Sequence, residues 1–193
     1  AIQAYIDIPP EEQAQVVFTL GAADNERQAR SLLAQHGSVD GARRVLEEVW
    51  EFWKRNLGGV HVETPDVSVN LLVNHWLLYQ TLASRLWGRS GFYQSGGAYG
   101  FRDQLQDSLA LLYECPWLTR QHLVLCSSRQ FQNGDVQHWW HPPSGRGVRT
   151  RISDDYLWLP YAVCRYVAVT GDTGILDEQT AFLEAAPLEP GEE

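Results

Sequence analysis

Residues 67–86, VSVNLLVNHWLLYQTLASRL, are apolar on nearly every side of a helical wheel. Val69, Leu71, Leu72, Val73, Trp76, Leu77, Leu78 and Leu82 leave no continuous polar face. A helix apolar on every side is one buried among other helices. The segment opening at Ser153 has the same character and ends near Thr170-Gly171-Asp172. Loops rich in Gly, Pro and aromatic residues precede the helices at 101 and 153, and apolar helices alternate with more polar ones. This helix-loop-helix rhythm predicts a mainly α fold built of concentric helical hairpins, an α/α toroid or part of one. No exact internal repeat accompanies it.

The flanks read differently. Gln15 to Leu20 alternates and is β-branched, with Pro9 and Pro10 before it and Gly21 after it, so it predicts a strand. A lone strand cannot pair with itself, so residues 1–22 read as the end of a β-domain. Asp24 or Asn25 caps a short polar helix that runs to Gln35 and stops at Gly37. Ser38 caps a second, whose apolar positions Ala42, Val45, Leu46, Val49, Trp50, Trp53 and Leu57 form one face. Gly58 and Gly59 end it. Residues 23–60 are thus a helical linker, and 61–193 the start of the toroid. Further helices are expected from about Arg102 to Tyr113, from Thr119 to Phe131, and in a short piece near Thr173. Residues 132–152 read as a long loop of Gly, Pro, Trp, His and Arg, and loops of that length are often functional.

Composition removes several classes. The net charge of −9 opposes a nucleic-acid or anionic-membrane partner, since both reward a basic surface. Eight Trp and eight Tyr suit a large core and carbohydrate-stacking surfaces. Three cysteines without a C-x-x-C spacing read as reduced, buried thiols. No membrane-span or signal-peptide pattern is present, which points to a cytoplasmic setting. The absence of Met reads as a processed piece of something longer.

Two stretches carry chemistry. GFYQSGGAYGFRDQLQD, residues 91–107, is a Gly-rich loop feeding a helix start. Small residues let a ligand approach the backbone. Tyr93 and Tyr99 offer flat faces, and Gln94, Arg102 and Asp103 offer hydrogen-bond groups. That set suits a polyhydroxylated ligand such as a sugar, while a helix cap with a local ion pair would use the same Arg102 and Asp103. The second stretch is SDDYLW at 153–158. Carboxylates in a first helical turn complement the helix dipole. Alternatively, one of Asp154 and Asp155 is a general acid that protonates a glycosidic oxygen. The dipole lowers such a pKa, so burial, a neighbouring carboxylate or a bound anion would have to raise it again. Trp139, Trp140 and His141 come into the same region from the preceding loop. Arg146, Arg149 and Arg151 are either solvated or compensate the two aspartates. His138 and His141 lack further ligands at metal-binding spacing, so no metal is expected. No G-x-S-x-G elbow, Walker loop or dinucleotide fingerprint occurs.

YQSGGAYGFRDQLQD (93–107) followed by DVQHWWHPPSGRGVRTRISDDYLWLPY (135–161) resembles the glycoside phosphorylases that include the cellobiose and chitobiose enzymes. Within that group the resemblance extends to the phosphorylase-like C-terminal region of cyclic β-1,2-glucan synthases, down to the tail FLEAAPLEPGEE. The resemblance implies an N-terminal β-sandwich, a helical linker and an (α/α)₆ barrel, of which this chain supplies about half. It implies inverting phosphorolysis of a β-linked oligosaccharide or glucan to an α-sugar 1-phosphate, with inorganic phosphate as co-substrate and no cofactor. The general acid falls in the Asp-Asp pair, Asp154 by preference with Asp155 shaping it. Arg102 and Asp103 match the residues that hold the donor sugar, and Gln94, Tyr93 and Arg89 follow from the same loop.

Two departures matter. The family's phosphate-holding loops lie beyond Glu193. Gly97 stands where cellobiose-type enzymes carry an arginine, so a β-linked saccharide other than cellobiose is expected. The chain by itself is therefore expected to lack phosphorolytic activity. Exposed helix flanks should associate with the remainder of a parent chain or with further copies, and the parent could be the cytoplasmic part of a membrane-bound synthase. The competing reading is a non-catalytic glucan-binding module. A hydrolase on the same barrel would need a general base that the sequence does not offer.

Overall fold

The computed structural model describes residues 2–89, 96–189 and 191. The chain divides into two compact units, Ala1–Arg55 and Asn56–Glu193.

In the first unit, helix α1 (Glu26–His36) starts where Asn25 Oδ1 accepts the Gln28 N–H at 3.0 Å. Helix α2 (Val39–Leu57) starts where Ser38 Oγ accepts the Gly41 N–H, also at 3.0 Å. Each is the capping that a Ser or Asn before an amphipathic run dictates. The strand expected at Gln15–Leu20 does not form. Among the described residues this segment pairs with no other strand, and β propensity without a partner leaves the backbone irregular.

In the second unit, residues 67–87 are helical throughout but of varying width. The α-helical stretches α3 (Val67–Leu71) and α4 (Leu77–Gln80) alternate with π-helical stretches Leu72–Trp76 and Thr81–Trp87. Thr81 Oγ1 donates back to the Leu77 carbonyl at 3.0 Å, a bond that loosens the ladder where the second wide stretch begins. Its composition predicts cover all round, and among the described residues it does not have it. Leu82 and Leu86 are buried, whereas Val67, Leu71, Trp76 and Leu77 are at least half exposed. The described residues pack against one side of it only.

The core lies between three helices and a small antiparallel sheet. Helix α5 (Phe101–Leu109) follows the two-residue strand β1 (Tyr99–Gly100). Helix α6 (Pro116–Ser127) begins at a proline, three residues earlier than expected from Thr119, because Pro at the first helical position starts a helix rather than breaking one. Strands β2 (Val136–His141) and β3 (Arg146–Thr150) form a hairpin, and β1 adds to β2 in the order β1-β2-β3. The segment 132–152 is therefore mostly sheet, not a long loop. Pro142 to Gly145 make its turn, with Gly145 at φ +70°, where glycine alone is unstrained. Helix α7 (Asp155–Thr170) ends on Gly171 at φ +73°, a left-handed cap. A 3₁₀ turn, Thr173–Asp177, follows.

Phe101, Leu105, Leu123, Val136, Trp140, Ala162 and Tyr166 meet in one cluster. Phe101 and Trp140 are almost wholly buried, and truncating either should cost about 3–5 kcal/mol. Cys115 and Cys126 are buried free thiols, as expected, but Cys164 is exposed. No described helix is long and apolar enough to cross a membrane.

Candidate active site

The first turns of α5 and α7 meet. Helix α5 starts at Gly100, where the Asp103 carboxylate folds back so closely that a Cβ at position 100 would lie 2.8 Å from Asp103 Oδ2. Glycine at that place lets the acid turn inward. Arg102, one residue earlier on the helix, points away from the core and donates from Nη1 to Asp154 Oδ2 at 2.9 Å. Asp154 is the N-cap of α7, and its backbone carbonyl accepts from Leu157 and Trp158.

The hairpin supplies the facing wall. Gln137 pairs with Arg149 and Trp139 with Val148, so His138 is an extra residue, a β-bulge. Consecutive strand residues normally face opposite sides, but a bulge re-aims one of them. Here His138 and Trp139 both line one cavity of about 880 Å³, together with His141, Arg102, Asp103 and Gln106. Gly96, Ala98 and Gly100 also line it, with no side chain larger than a methyl. Of the tryptophans expected beside the acid pair, Trp139 lines the cavity. Trp140 does not: it faces the core, 1% exposed.

The two aspartates differ sharply. The Asp154 side chain is 43% exposed, and the hydrogen bond from Arg102 holds its carboxyl below the usual carboxylate range. The Asp155 side chain is 1% exposed, and burial pushes its carboxyl up, with the His138 hydrogen bond pulling the other way. Asp155 Oδ2 lies 2.7 Å from His138 Nδ1, and Oδ1 has no partner among the described residues. Such a pair holds its proton either on the ring or on the acid.

The arginines of GRGVRTR do not compensate either aspartate of the pair. Arg149 donates to Asp135 Oδ2 at 2.9 Å and to the Ala186 carbonyl at 2.7 Å, and Arg151 donates to the Leu188 carbonyl. Tyr156 donates to Asp135 Oδ1 at 3.0 Å, so this ionic knot fixes the hairpin to the start of α7. Hydrogen bonds from Asn133, Tyr156 and Arg149 outweigh burial at Asp135 and lower its pKa.

Arg89 lies outside the cavity wall. It donates from Nε to the Gly97 carbonyl at 2.7 Å, and its guanidinium stands over the Tyr99 ring. Tyr93 and Gln94 fall outside the described residues. His138 and Gln106 were not singled out as site residues from sequence. Only the misfit between the strand alternation and the hairpin partners reveals the bulge that turns His138 inward.

An open polar and aromatic cavity, with Asp154 and Asp155 tied to its wall through Arg102 and His138, is suited to a polyhydroxylated ligand. The catalytic domain of the glycosyl hydrolase 94 superfamily matches residues 52–187, and the chain belongs to that family. It is 47% identical over 192 residues to the cyclic beta-(1,2)-glucan synthase NdvB of Rhizobium meliloti (strain 1021), covering 100% of this chain and 7% of that protein. It is 28% identical over 186 residues to the 3-O-beta-D-glucopyranosyl-beta-D-glucuronide phosphorylase of Paenibacillus borealis, covering 94% of this chain and 23% of the relative. It is 25% identical over 206 residues to the N,N'-diacetylchitobiose phosphorylase of Vibrio proteolyticus, covering 92% and 25%. The chain thus spans a quarter or less of these relatives' lengths.

Proposed function

We propose that this chain is part of the catalytic centre of an inverting glycoside phosphorylase acting on β-linked glucosides or glucan, within a larger parent protein whose (α/α)₆ barrel it helps to form. The observation that carries this reading is the exposed Asp154 beside the sealed Asp155, each bonded to a residue of the cavity wall, Arg102 and His138. Access decides the roles. Asp154 can reach a glycosidic oxygen, and Asp155 cannot.

In the reaction, Asp154 gives its proton to the leaving oxygen as the bond from that oxygen to the anomeric carbon breaks. A phosphate oxygen forms the new bond from the opposite face, yielding an α-sugar 1-phosphate and the shortened saccharide. The proton left on the phosphate returns through solvent to Asp154. One acid suffices because phosphate is itself the nucleophile. Arg102 and Asp103 hold the donor sugar's hydroxyls. A sugar that takes the Arg102 N–H groups removes the largest influence lowering the Asp154 pKa, so substrate binding itself favours the protonated acid.

The test is to incubate the parent protein with β-1,2-linked glucose oligomers and inorganic phosphate and to follow the anomeric signals by NMR. Phosphate-dependent appearance of the α-anomer of a sugar 1-phosphate is expected. Binding without any product would leave a glucan-binding module, and release of free sugar without phosphate would indicate hydrolysis.

A further inference from the structure

Two irregularities of the fold meet at one contact. The bulge in β2 turns His138 out of the strand alternation and into the wall of the 880 Å³ cavity. The Asp155 side chain is 1% exposed, although an acid that only answers the helix dipole can stay in water, as Asp154 does. Asp155 Oδ2 and His138 Nδ1 are the atoms that join them. Burying a carboxylate costs free energy unless it is paired, and His138 is its only side-chain partner among the described residues. The acid is sealed for the sake of this ring.

Nδ1 is committed to Asp155. The His138 side chain keeps 35% of its surface exposed on the cavity wall, and Nε2 makes no hydrogen bond among the described residues. Nε2 is therefore the nitrogen open to a ligand. With a single proton on the pair, Asp155 is ionised, Nδ1–H donates to it, and Nε2 is a bare acceptor. With two, one proton is shared between Oδ2 and Nδ1 and the other sits on Nε2, which then donates. That holds whether the shared proton lies nearer the acid or the ring.

We propose that Asp155 and His138 titrate as one unit that sets saccharide affinity. Asp155 is a positioning residue that fixes the ring, and His138 Nε2–H donates to a saccharide hydroxyl in the inner cavity while the unit is protonated. The inference rests on the reading of that cavity as the saccharide site.

The donor state is the one that fits. Asp103 shares the cavity wall, and a hydroxyl that gives its one proton to that carboxylate has only lone pairs left. Its remaining partners must then be donors, as Arg102 is and as the protonated unit is. The charged and titratable groups around the pair are Arg102 and Asp103 on α5, Asp154 on α7 and His141 on β2. Arg149 and Arg151 are bound to Asp135 and the tail. Burial outweighs the His138 bond and raises the Asp155 pKa, which keeps the proton on the pair above the ordinary carboxylate range.

The experiment is calorimetric titration with a β-1,2-linked glucose disaccharide, without phosphate, from about pH 5 to about pH 9. The parent protein carries Asp154→Asn, which removes the titration of the exposed acid. The disaccharide has no titratable group, so any pH dependence belongs to the protein. Affinity should fall about tenfold from the acid to the alkaline side, the size of one hydrogen bond to a charged group. His138→Gln keeps a donor that does not titrate, so its affinity should be level and stay near the acid-side value. His138→Ala should be level at the weak value. Asp155→Asn should move the midpoint to lower pH, because a neutral amide no longer attracts a proton to the ring. Thermal melts check folding, and if Asp155→Asn does not fold, the two His138 variants carry the decision. A level profile before any change at His138, or a fall that survives His138→Gln, overturns the unit while the saccharide site stands. An unmoved midpoint in folded Asp155→Asn overturns the positioning role. No binding at any pH instead overturns the reading of the inner cavity, and the unit with it.

Discussion

Helices α5 and α7 each begin with two adjacent charged residues, Arg102–Asp103 and Asp154–Asp155. In each pair one side chain faces outward, and those two, Arg102 at 46% and Asp154 at 43% exposure, meet at 2.9 Å. The inward members part company. Asp103 keeps 23% of its side chain exposed, against the bare α-carbon of Gly100. Asp155 is sealed, with His138 on one oxygen and, among the described residues, no partner on the other. All three carboxylates lie at a helix start and feel the same sign of dipole, so the dipole cannot account for the difference. Burial and the choice of partner do: Arg102 lowers Asp154, and desolvation raises Asp155. The lesson is that neighbours in sequence on one helix turn can be given separate chemical tasks by how deeply each sits.

The sharpest way to break this comparison is to exchange the roles. Asp154→Asn in the parent protein should lower turnover at least about a hundredfold, the loss of a general acid, with the melting temperature little changed. If Asp154→Asn stays active and Asp155→Asn does not, access is the wrong criterion and the buried acid is the donor.

Arg102→Ala tests the link between the two helix starts. Saccharide affinity should fall about tenfold, since one charge-assisted hydrogen bond is lost. The Asp154 pKa should rise once its largest lowering influence is gone. An acid with a raised pKa stays protonated to higher pH, so the alkaline limb of the kcat/KM profile, which reports the free enzyme, should move up. An unmoved limb would separate Arg102 from the acid.

Stability against pH should show opposite signs at the two aspartates. The folded Asp155 binds its proton more tightly than the unfolded chain does. Its contribution is therefore fully present below the unfolded value of about 4 and is lost as pH rises through the higher folded value. Asp154 behaves inversely: its contribution is present above the unfolded value and is lost as pH falls through the lower folded one. Urea melts across acid pH should show Asp155→Asn removing the first dependence and Asp154→Asn the second. Identical curves for the two variants would erase the distinction.

The smallest effect concerns the Arg102–Asp154 bond as a fold contact. Both side chains are nearly half exposed, so a double-mutant cycle should give a coupling of about 1 kcal/mol or less, fading with salt. A coupling of several kcal/mol would mean that the contact holds the helices together rather than poising the acid.

Sequence by itself determined the punctuation of this protein. Asn25 and Ser38 start helices, Gly171 ends one, and the Gly-rich loop delivers Arg102 to a helix start, because caps and turns depend on residues within about four positions of each other. It also brought both charged pairs into view, and the motifs 93–107 and 135–161 were enough to point to the family. Tertiary structure decided the rest. Asp154 and Asp155 are about 100° apart around the helix axis, and nothing local says which of them faces the core. Trp139 and Trp140 are likewise interchangeable until pairing with β3 places the bulge at His138. The segment 132–152, a loop by composition, became a hairpin through cross-strand partners, whereas Gln15–Leu20, with the clearer strand pattern, found none among the described residues. The two bonds that define the site join residues 52 and 17 positions apart. Their formation depends on the packing of α5, α7 and the sheet around Phe101 and Trp140, a long-range outcome that no local pattern encodes.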